Sequence, residues 1–460
     1  MDSSSPTEIR RTAASTGGGP AGALALLGGR PAVDLPAEDM YRWCAVTREM
    51  EDAVLAVLRD GAMSGTGITK RFEAEYARWS GSAYALAHSS GTAALQAAMY
   101  AAGVGRGDEV ICPTITYWAS CAQALSLGAS VVFADIDPET LCLCPRDFER
   151  RITPRTKAVV VVHYLGVPAD MDAILPAARR RGIKVIEDVS HAQGARYKGR
   201  MVGTFGDVSG ISLMTGKSFA IGEGGMLTTN ERLIYERALF WGHYERHDQL
   251  SDPALRAAAG LPSGGNKYRM HQMSSAVGLE QIKKYDADCA RIAKAHEYFW
   301  RRLEGVGGVR PHLPPYPDST KGGWYAPHGF YDKDALGGLS VRRFCEAVAA
   351  EGLPDMVPGC NAPLHECALF NTVDVYGDGL PTNWLHRPGA EAQPGDFPAA
   401  AGVQSRTFHY ASFKDFRPDY LDQAAAAVRK VVERHRDLLP GDDHGGDEPA
   451  GRLALSARRS

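Results

Sequence analysis

The sequence of 460 residues has no apolar run near the roughly 20 residues that a membrane-spanning helix needs. It also lacks a strong excess of charge, because 51 lysines and arginines are balanced by 54 aspartates and glutamates, for a formal net charge of -3. A chain without a basic excess has no long-range field that attracts nucleic acid or an anionic membrane. We therefore expect neither as a partner.

The cysteines show no spacing typical of a disulfide framework or a metal site. The nine cysteines are scattered, and the C-x-C formed by Cys142 and Cys144 has no second pair or histidine cluster to complete a zinc site. This distribution favours free, mostly buried thiols in a reducing cytoplasm, and no bound metal.

Both ends of the sequence lack the residues that build a core. Arg10-Arg11 and the apolar residues 20–27 resemble a secretory or twin-arginine signal in outline. However, the residues between them are polar and glycine-rich, and the apolar part contains Pro20 and Gly22. We predict flexible tails at residues 1–30 and 441–460.

Between the tails, short apolar runs alternate with helical patterns. Strands are predicted at residues 84–87, 109–112, 130–134, 157–163 and 184–187, and helices at 93–102, 117–127 and 170–181. Apolar strands that alternate with helices predict an α/β fold with a mostly parallel central sheet flanked by helices.

The second half of the chain has a different pattern. A long helical region covers residues 272–303, a proline-rich break follows at 311–317, and a helix at 421–434 closes the rest. We predict a large ligand-binding domain over residues 31–303 and a smaller C-terminal α+β domain over 304–440.

Three places along the predicted sheet carry candidate chemistry. Ser90-Gly91-Thr92 lies between a strand and a helix, where backbone amides bind anions, although such a triplet is often a plain helix cap. Asp188 ends a strand, where it either faces the ligand crevice or caps a helix. Lys217 has small and apolar neighbours, which favour a desolvated nucleophilic amine over a solvated lysine. Ser212 could reach the same anion as the triplet.

An anion site, a carboxylate and an amine are what catalysis on pyridoxal phosphate requires of a protein. The order and spacing of these residues resemble the sugar aminotransferases of the DegT/DnrJ/EryC1/StrS family, within fold type I of pyridoxal-phosphate enzymes. The resemblance is strong over residues 53–283 and continues weakly to about residue 434. Its matching stretches are residues 64–67, 90–95, 113–117, 187–194, 206–207, Lys217 and 265–270.

The resemblance implies a role for each candidate residue. Tyr117 stacks on the cofactor ring, His191 hydrogen-bonds the ring hydroxyl, and Asp188 pairs with the ring nitrogen. The phosphate is held by Ser90, Gly91, Thr92 and Ser212. Lys217 forms the Schiff base and later moves the proton between two carbon atoms. The family is dimeric, so the resemblance implies a homodimer in which residues 265–270 of one subunit reach the partner's phosphate.

The sequence departs from the commonest family pattern at two positions. Lys267 stands where asparagine is usual, and it can still contact a phosphate as a point charge. His191 stands where many members have glutamine. Both variants are similar to the branch that makes aminocyclitols and 3-amino-5-hydroxybenzoate. Residues 359–365 resemble the family's C-terminal segment near the active site.

We therefore predict a pyridoxal-phosphate-dependent aminotransferase of secondary-metabolite biosynthesis, such as that of antibiotics, with ping-pong kinetics. The amino donor is glutamine or glutamate, and the acceptor is a keto-cyclitol or a ketosugar. One alternative is a dehydratase of the same family, but dehydratases have histidine in place of Lys217. The other is a pyridoxal-phosphate-binding regulator, which would not need Lys217, Asp188 and His191 together.

Overall fold

The computed structural model describes residues 22–37, 40–43, 45–385 and 396–443. Its strands are β1 (Tyr84–His88), β2 (Glu109–Pro113), β3 (Ser130–Ala134), β4 (Thr156–Val162), β5 (Lys184–Asp188), β6 (Arg196–Tyr197), β7 (Arg200–Met201), β8 (Val208–Ser212), β9 (Gly225–Thr229), β10 (Val309–Pro311), β11 (His328–Tyr331), β12 (Val357–Pro358) and β13 (Thr407–His409). Its helices are α1 (Arg48–Arg59), α2 (Gly67–Ser80), α3 (Gly91–Ala101), α4 (Gln123–Ser126), α5 (Pro145–Arg151), α6 (Met171–Arg180), α7 (Arg232–Gly242), α8 (Pro253–Ala257), α9 (Gln272–Ile282), α10 (Tyr285–Arg302), α11 (Val341–Ala350), α12 (Ala368–Asn371), α13 (Pro398–Ala401) and α14 (Pro418–Glu433).

Seven strands form the central sheet, in the spatial order β1-β9-β8-β5-β4-β2-β3. Strands β2, β3, β4, β5 and β8 are parallel, whereas β9 is antiparallel to both β8 and β1. Because β1 and β8 both oppose β9, they run in the same direction. The predicted mostly parallel sheet is confirmed, and the carboxyl ends of β1, β2, β4, β5 and β8 lie at one edge.

Local sequence explains these elements well. The valines of β4 are buried, as expected for a strand that is covered on both faces. Helix α3 is rich in alanine, a strong helix former, and begins at Ser90, whose Oγ accepts a hydrogen bond from Ala93 N (3.1 Å). Gly210 in β8 lets this helix pack closely, because a Cβ there would lie 2.6 Å from Leu95 Cδ2.

The helix predicted over residues 117–127 is wrong as one element. The structure has a 3-10 turn (Trp118–Ser120) followed by α4, and the intervening Cys121 has φ −143°, outside the helical range. Ser120 Oγ donates to Asp188 Oδ2 on β5 (2.7 Å). This contact with a distant strand leaves no trace in the local periodicity from which the helix was predicted.

A second core surrounds the antiparallel sheet β10-β11-β13-β12 and helices α10, α11 and α14. Phe299, Phe344 and Tyr420 are buried in it. This arrangement has the α+β composition that was predicted for the C-terminal part of the chain. Helix α10 belongs to both cores, with Tyr285 in the larger and Phe299 in the smaller. The domain bounds 31–303 and 304–440 therefore stay a prediction.

Residues 22–30, predicted as part of a flexible tail, instead pack on the second core. Leu24 is 1% exposed, and the amides of Ala25 and Ala32 donate to the carboxylate of Glu351 (2.7 and 3.0 Å). Residues 1–21 and 444–460 of the predicted tails lie outside the described residues. In the described part of the chain, no helix has the length and apolar character to cross a membrane.

The described part of segment 360–403 returns to the larger core. Leu364, Phe370 and Val403 are buried there. Asn383 pairs with the backbone of Val131, accepting from its amide at 2.6 Å and donating to its carbonyl at 3.1 Å. Because Val131 lies on the edge strand β3, this segment covers an edge that would otherwise be open to pairing.

Candidate active site

The predicted site residues follow strand ends at one edge of the central sheet. The Ser90-Gly91-Thr92 triplet comes after β1, Tyr117 after β2, Asp188 ends β5, and Ser212 ends β8. The register pairs both His88 and Ser212 with Gly225 of β9. The sheet itself therefore brings the loops that follow β1 and β8 together.

A cradle of small residues lies where these two loops meet. A Cβ on Gly91 would lie 2.5 Å from Ser212 Cβ, and a Cβ on Gly225 would lie 2.2 Å from Ser90 O, so both positions accept glycine alone. The first amides of a helix have no intrahelical acceptors, and the helix dipole adds positive potential there. Gly91 and Thr92 provide these amides for α3, and the half-buried Thr92 and Ser212 add hydroxyl groups. The arrangement suits a phosphate-sized anion.

Asp188 is a buried carboxylate without a cationic partner. It is 4% exposed; Oδ2 accepts from Ser120 Oγ (2.7 Å), and Oδ1 accepts from the amide of Ser190 (3.0 Å). Among the described residues, no cationic side chain pairs with it. The chain continues from Asp188 in turns up to β6, so Asp188 is not a helix cap. An unpaired buried carboxylate at a ligand crevice is suited to a cationic group of a ligand.

The neighbouring Glu187 differs from Asp188 because its carboxylate is fully occupied by hydrogen bonds from the protein. It accepts hydrogen bonds from His163 Nε2 (2.9 Å) and from the amides of Gly203, Phe205 and Gly206 (2.7 Å each). Burial alone would raise the pKa of Glu187, but the hydrogen bond from His163 and those from the backbone amides hold its pKa below the ordinary value. Glu187 therefore anchors the loop after β7, while Asp188 faces the site.

Lys217 is a buried amine in a tight turn. It is 7% exposed, its amide donates to Met214 O (2.8 Å), and its carbonyl accepts from Trp43 Nε1 (3.1 Å). Its Nζ lies 4.2 Å from the centroid of the Tyr325 ring. Among the described residues, no carboxylate lies within ion-pair distance of this Nζ. A desolvated amine without a counter-charge is suited to act as a nucleophile.

His191 is a buried, neutral imidazole beside Lys217. Burial, the positive charge of Lys217 and the nearby His328 lower the pKa of His191 well below its ordinary value. Nδ1 accepts from the amide of Leu165 (3.4 Å), so the neutral ring carries its proton on Nε2. The ring centroid lies 4.5 Å from that of Tyr325. His191 is therefore a hydrogen-bond donor at the edge of the site.

Two predicted residues, Tyr117 and Lys267, are not brought into contact with Lys217. Tyr117 is 42% exposed, with its ring 5.1 Å from that of Trp118. Lys267 is exposed and forms no ion pair with any described residue. Its loop nevertheless runs along the anion cradle, because Ser89 N donates to Tyr268 O (2.7 Å).

The segment over residues 359–365 lies at the same edge of the sheet, as its resemblance implied. Leu364 N donates to Thr114 O just after β2 (2.8 Å), and His365 Nδ1 lies 2.5 Å from Thr114 Oγ1. Tyr164 Oη donates to Asn361 Oδ1 (2.5 Å) after β4. A part of the chain far from the central strands in sequence therefore closes one side of the site.

Several residues that support the site were missed by sequence reasoning. Tyr325 contacts Lys217 and His191, Trp43 contacts the Lys217 carbonyl, and Ser120 contacts Asp188. Gln193 joins two parts of the site, because its Nε2 donates to Ser212 O (2.7 Å) and its Oε1 accepts from Ser218 Oγ (2.7 Å). Gln193 lay within a matching stretch, but no motif distinguished the other three.

Comparison with known proteins agrees with this geometry. The model of the DegT/DnrJ/EryC1/StrS aminotransferase family matches residues 45–387. The chain is 34% identical over 413 residues to an L-glutamine:2-deoxy-scyllo-inosose aminotransferase from Streptoalloteichus tenebrarius, covering 86% of this chain and 95% of that protein. It is similar to a solved aminotransferase from Psychrobacter cryohalolentis (TM-score 0.74, 27% identity, 86% and 100% of the two chains). It is also similar to 3-amino-5-hydroxybenzoic acid synthase (TM-score 0.71, 25% identity, 86% and 99% of the two chains). The protein belongs to the DegT/DnrJ/EryC1/StrS family and is an aminotransferase of fold type I.

Proposed function

We propose that this aminotransferase uses pyridoxal 5'-phosphate to move an amino group from glutamine or glutamate to a keto-cyclitol or ketosugar. The observation that carries the proposal is the buried amine of Lys217. It has no carboxylate partner among the described residues and lies beside neutral His191. Asp188 and the glycine-lined cradle lie at the same sheet edge.

The residues at this edge fit the cofactor group by group. The amides of Gly91 and Thr92 at the start of α3, with Ser90 and Ser212 beside them, suit its phosphate. Glycine at positions 91 and 225 lets the loops that carry these residues pack closely. Asp188, which lacks a cation, suits the protonated ring nitrogen, and His191 Nε2–H suits the ring oxygen. Lys217 provides the amine for covalent attachment. Tyr117 covering the ring and Lys267 contacting a phosphate stay proposals from the resemblance.

The chain's own residues then divide the work. The bound cofactor supplies the electron sink that stabilises negative charge on the substrate carbon. Lys217 takes the proton from the carbon that carries the donor's amino group, and its position in a buried turn keeps that proton from exchanging with water. Asp188 holds a proton on the ring nitrogen through its negative charge. His191 donates a hydrogen bond and stays neutral, so it adds no positive charge next to Lys217.

The substrate assignment is supported by a relative's name. The Streptoalloteichus tenebrarius relative is an L-glutamine:2-deoxy-scyllo-inosose aminotransferase. Glutamine as donor and a keto-cyclitol as acceptor are therefore the first choice, and a nucleotide-linked ketosugar is the second. We therefore propose a role in the biosynthesis of aminocyclitol or aminosugar metabolites such as antibiotics. We propose a cytoplasmic location, which is supported by free, buried thiols such as those of Cys112, Cys121 and Cys142.

The two alternative functions fit the site less well. A dehydratase of this family has histidine at the position of Lys217. A regulator that merely binds the cofactor needs neither a desolvated amine nor an unpaired carboxylate. Burying both groups costs free energy that a binding function does not recover.

A half-reaction screen tests the proposal. Enzyme loaded with pyridoxal phosphate is mixed with glutamine or glutamate, and conversion of the cofactor to its amine form is followed by absorbance. The amine form is then offered keto-cyclitols and nucleotide-linked ketosugars, and aminated products are identified by mass spectrometry. A protein whose cofactor spectrum responds to neither donor is not an aminotransferase of this kind.

Lys217→Ala is the matched control for this screen. We expect no turnover and no cofactor adduct after borohydride reduction, because Lys217 is the amine that the site aims at the cofactor. Peptide mapping of the reduced wild-type enzyme should locate the adduct at Lys217. An adduct on a different lysine contradicts the assignment.

A further inference from the structure

A strained strap crosses the site from the second core. We define it as residues 318–326, and within it Asp318, Trp324 and Ala326 have φ of 51°, 50° and 45°. These are left-handed conformations that non-glycine residues seldom adopt. Such conformations persist where surrounding contacts fix them, and they cluster at functional sites.

The strap is fixed by contacts on both sides of Tyr325. The Trp324 ring stacks on His296, with centroids 4.4 Å apart and planes at 6°. Gly323 N donates to Gln193 O (3.2 Å), and a Cβ on Gly323 would lie 2.4 Å from Ser218 Cβ, directly after Lys217. On the other side, Ala326 O lies 2.8 Å from His328 Nδ1. The backbone at Tyr325 therefore has little freedom to move.

The strap presents the ring of Tyr325 to the amine. Lys217 Nζ lies over the Tyr325 ring, 4.2 Å from its centroid. The centroid of the His191 ring lies 4.5 Å from the centroid of the same Tyr325 ring. Tyr325 is half-buried, whereas Lys217 and His191 are buried. An aromatic face attracts an ammonium group without forming the tight ion pair that a carboxylate would form.

We propose that Tyr325 is a positioning residue whose ring holds the free amine of Lys217 beside His191 and shields it from solvent. The inference rests on the proposed function, in which this amine must be free and correctly placed while it carries a proton. A lysine side chain has four rotatable bonds and samples many rotamers when nothing holds its end. The Tyr325 ring restricts these rotamers and leaves the amine able to react.

The test compares Tyr325→Phe, which keeps the ring face, with Tyr325→Leu, which removes it. In the full chain freed of cofactor, acetic anhydride labelling of Lys217 is followed by peptide mass spectrometry, with exposed Lys283 as the internal standard. Removing the ring uncovers the amine and ends its stabilisation as an ammonium. We expect labelling in Tyr325→Leu to rise about 2- to 30-fold, the range that corresponds to a cation–π contact. Tyr325→Phe should match wild type.

Turnover of the loaded enzyme provides the second measurement. A misplaced amine lowers kcat in Tyr325→Leu and leaves the KM for the amino donor nearly unchanged, because the ring acts through Lys217. The exposed Tyr376 gives a matched Tyr→Leu control that should behave as wild type. If Tyr325→Leu does not fold, Tyr325→Gln replaces it in both measurements, because it also lacks a ring and its polar end can reach solvent from this half-buried position.

Three results overturn the inference. These are wild-type labelling of Lys217 in the ring-free variants, increased labelling in Tyr325→Phe, and a raised KM with unchanged kcat. Failure of the proposed function is distinguishable from all three. In that case the wild-type protein with pyridoxal phosphate forms no borohydride-reducible adduct at Lys217.

Discussion

Glu187 and Asp188 differ in role although they are adjacent in sequence. Successive side chains of a strand point to opposite faces of the sheet. The Glu187 carboxylate therefore contacts the loop after β7, and the Asp188 carboxylate faces the site. Glu187 receives hydrogen bonds from His163 and three amides, whereas Asp188 receives two and pairs with no cationic side chain of the described residues. Burying the Asp188 charge without a cationic partner costs free energy. A cationic group of a ligand bound at the site would provide that partner.

Replacing Asp188 with Asn tests that reason. An amide keeps the size of the side chain, an oxygen that accepts from Ser190 N and an NH2 group that can donate to Ser120 Oγ, but it has no charge to hold a proton on the cofactor ring. We expect kcat to fall by about 100-fold, a loss typical of removing a group that stabilises charge in the transition state. Thermal unfolding should stay close to that of wild type.

Asp172→Asn is the control for this substitution, because Asp172 is exposed and pairs with Lys198 at the surface. It should leave kcat unchanged. A threefold or smaller loss of kcat in Asp188→Asn, with cofactor bound as in wild type, shows that the Asp188 charge does not serve catalysis.

At the scale of elements, the strands were predictable, whereas segments that depend on contacts with distant parts of the chain were not. Strands β1 to β5 lie within a residue of their predicted bounds, because short apolar runs determine them locally. The predicted helix over residues 117–127 is divided because Ser120 contacts β5. Residues 22–30 were predicted as part of a tail from their composition, yet Leu24 is buried and Ala25 N donates to Glu351, more than 300 residues away.

The candidate site divides in the same way. Asp188 at a strand end and Lys217 among small and apolar neighbours were candidates from the sequence pattern, and the family resemblance added the role predicted for His191. Tyr325 and Trp43 reach Lys217 across more than 100 residues of sequence, and no local pattern marks a tyrosine or a tryptophan for such a contact. Supporting residues of this kind become visible when tertiary packing is known.

The N-terminal segment gives a prediction at this scale. Glu351 is fully buried, accepts from Ala25 N and Ala32 N, and pairs with Lys430 (2.8 Å). Glu351→Ala leaves two amides and an ammonium group without their partner, so we expect the free energy of unfolding to fall by about 3 kcal/mol. Residues 22–37 should also become sensitive to limited proteolysis.

Urea unfolding and peptide mapping of the digest measure these two effects. Exposed Glu433 on α14 provides a control, and Glu433→Ala should change neither. If Glu351→Ala leaves both unchanged, residues 22–37 are held by apolar contacts such as that of Leu24 and not by the carboxylate.

At the scale of the whole molecule, the surface near the site is unusual in two respects. Large apolar side chains are exposed on α1 and just after it, including Leu55 (40%), Leu58 (46%) and Met63 (40%). Lys267 projects from a loop that is anchored on both sides of it, by Ser263 Oγ to Tyr100 Oη and by Tyr268 N to Gly242 O. We propose that both features face a second copy of the chain in a two-fold dimer, with Lys267 at the partner's phosphate.

Subunit mixing tests the shared site. Lys217→Ala and Lys267→Ala subunits are each expected to be poorly active as homodimers, for different reasons. If Lys267 serves the partner, one site of the mixed dimer has both defects and the other has neither. Equal mixing gives half mixed dimers, so activity should return to about a quarter of wild type. Subunits with different affinity tags allow the mixed dimer to be purified and its kcat measured directly.

If Lys267 instead serves its own subunit, each site of the mixed dimer keeps one defect. Purified mixed dimers no more active than the average of the two parents contradict a shared site.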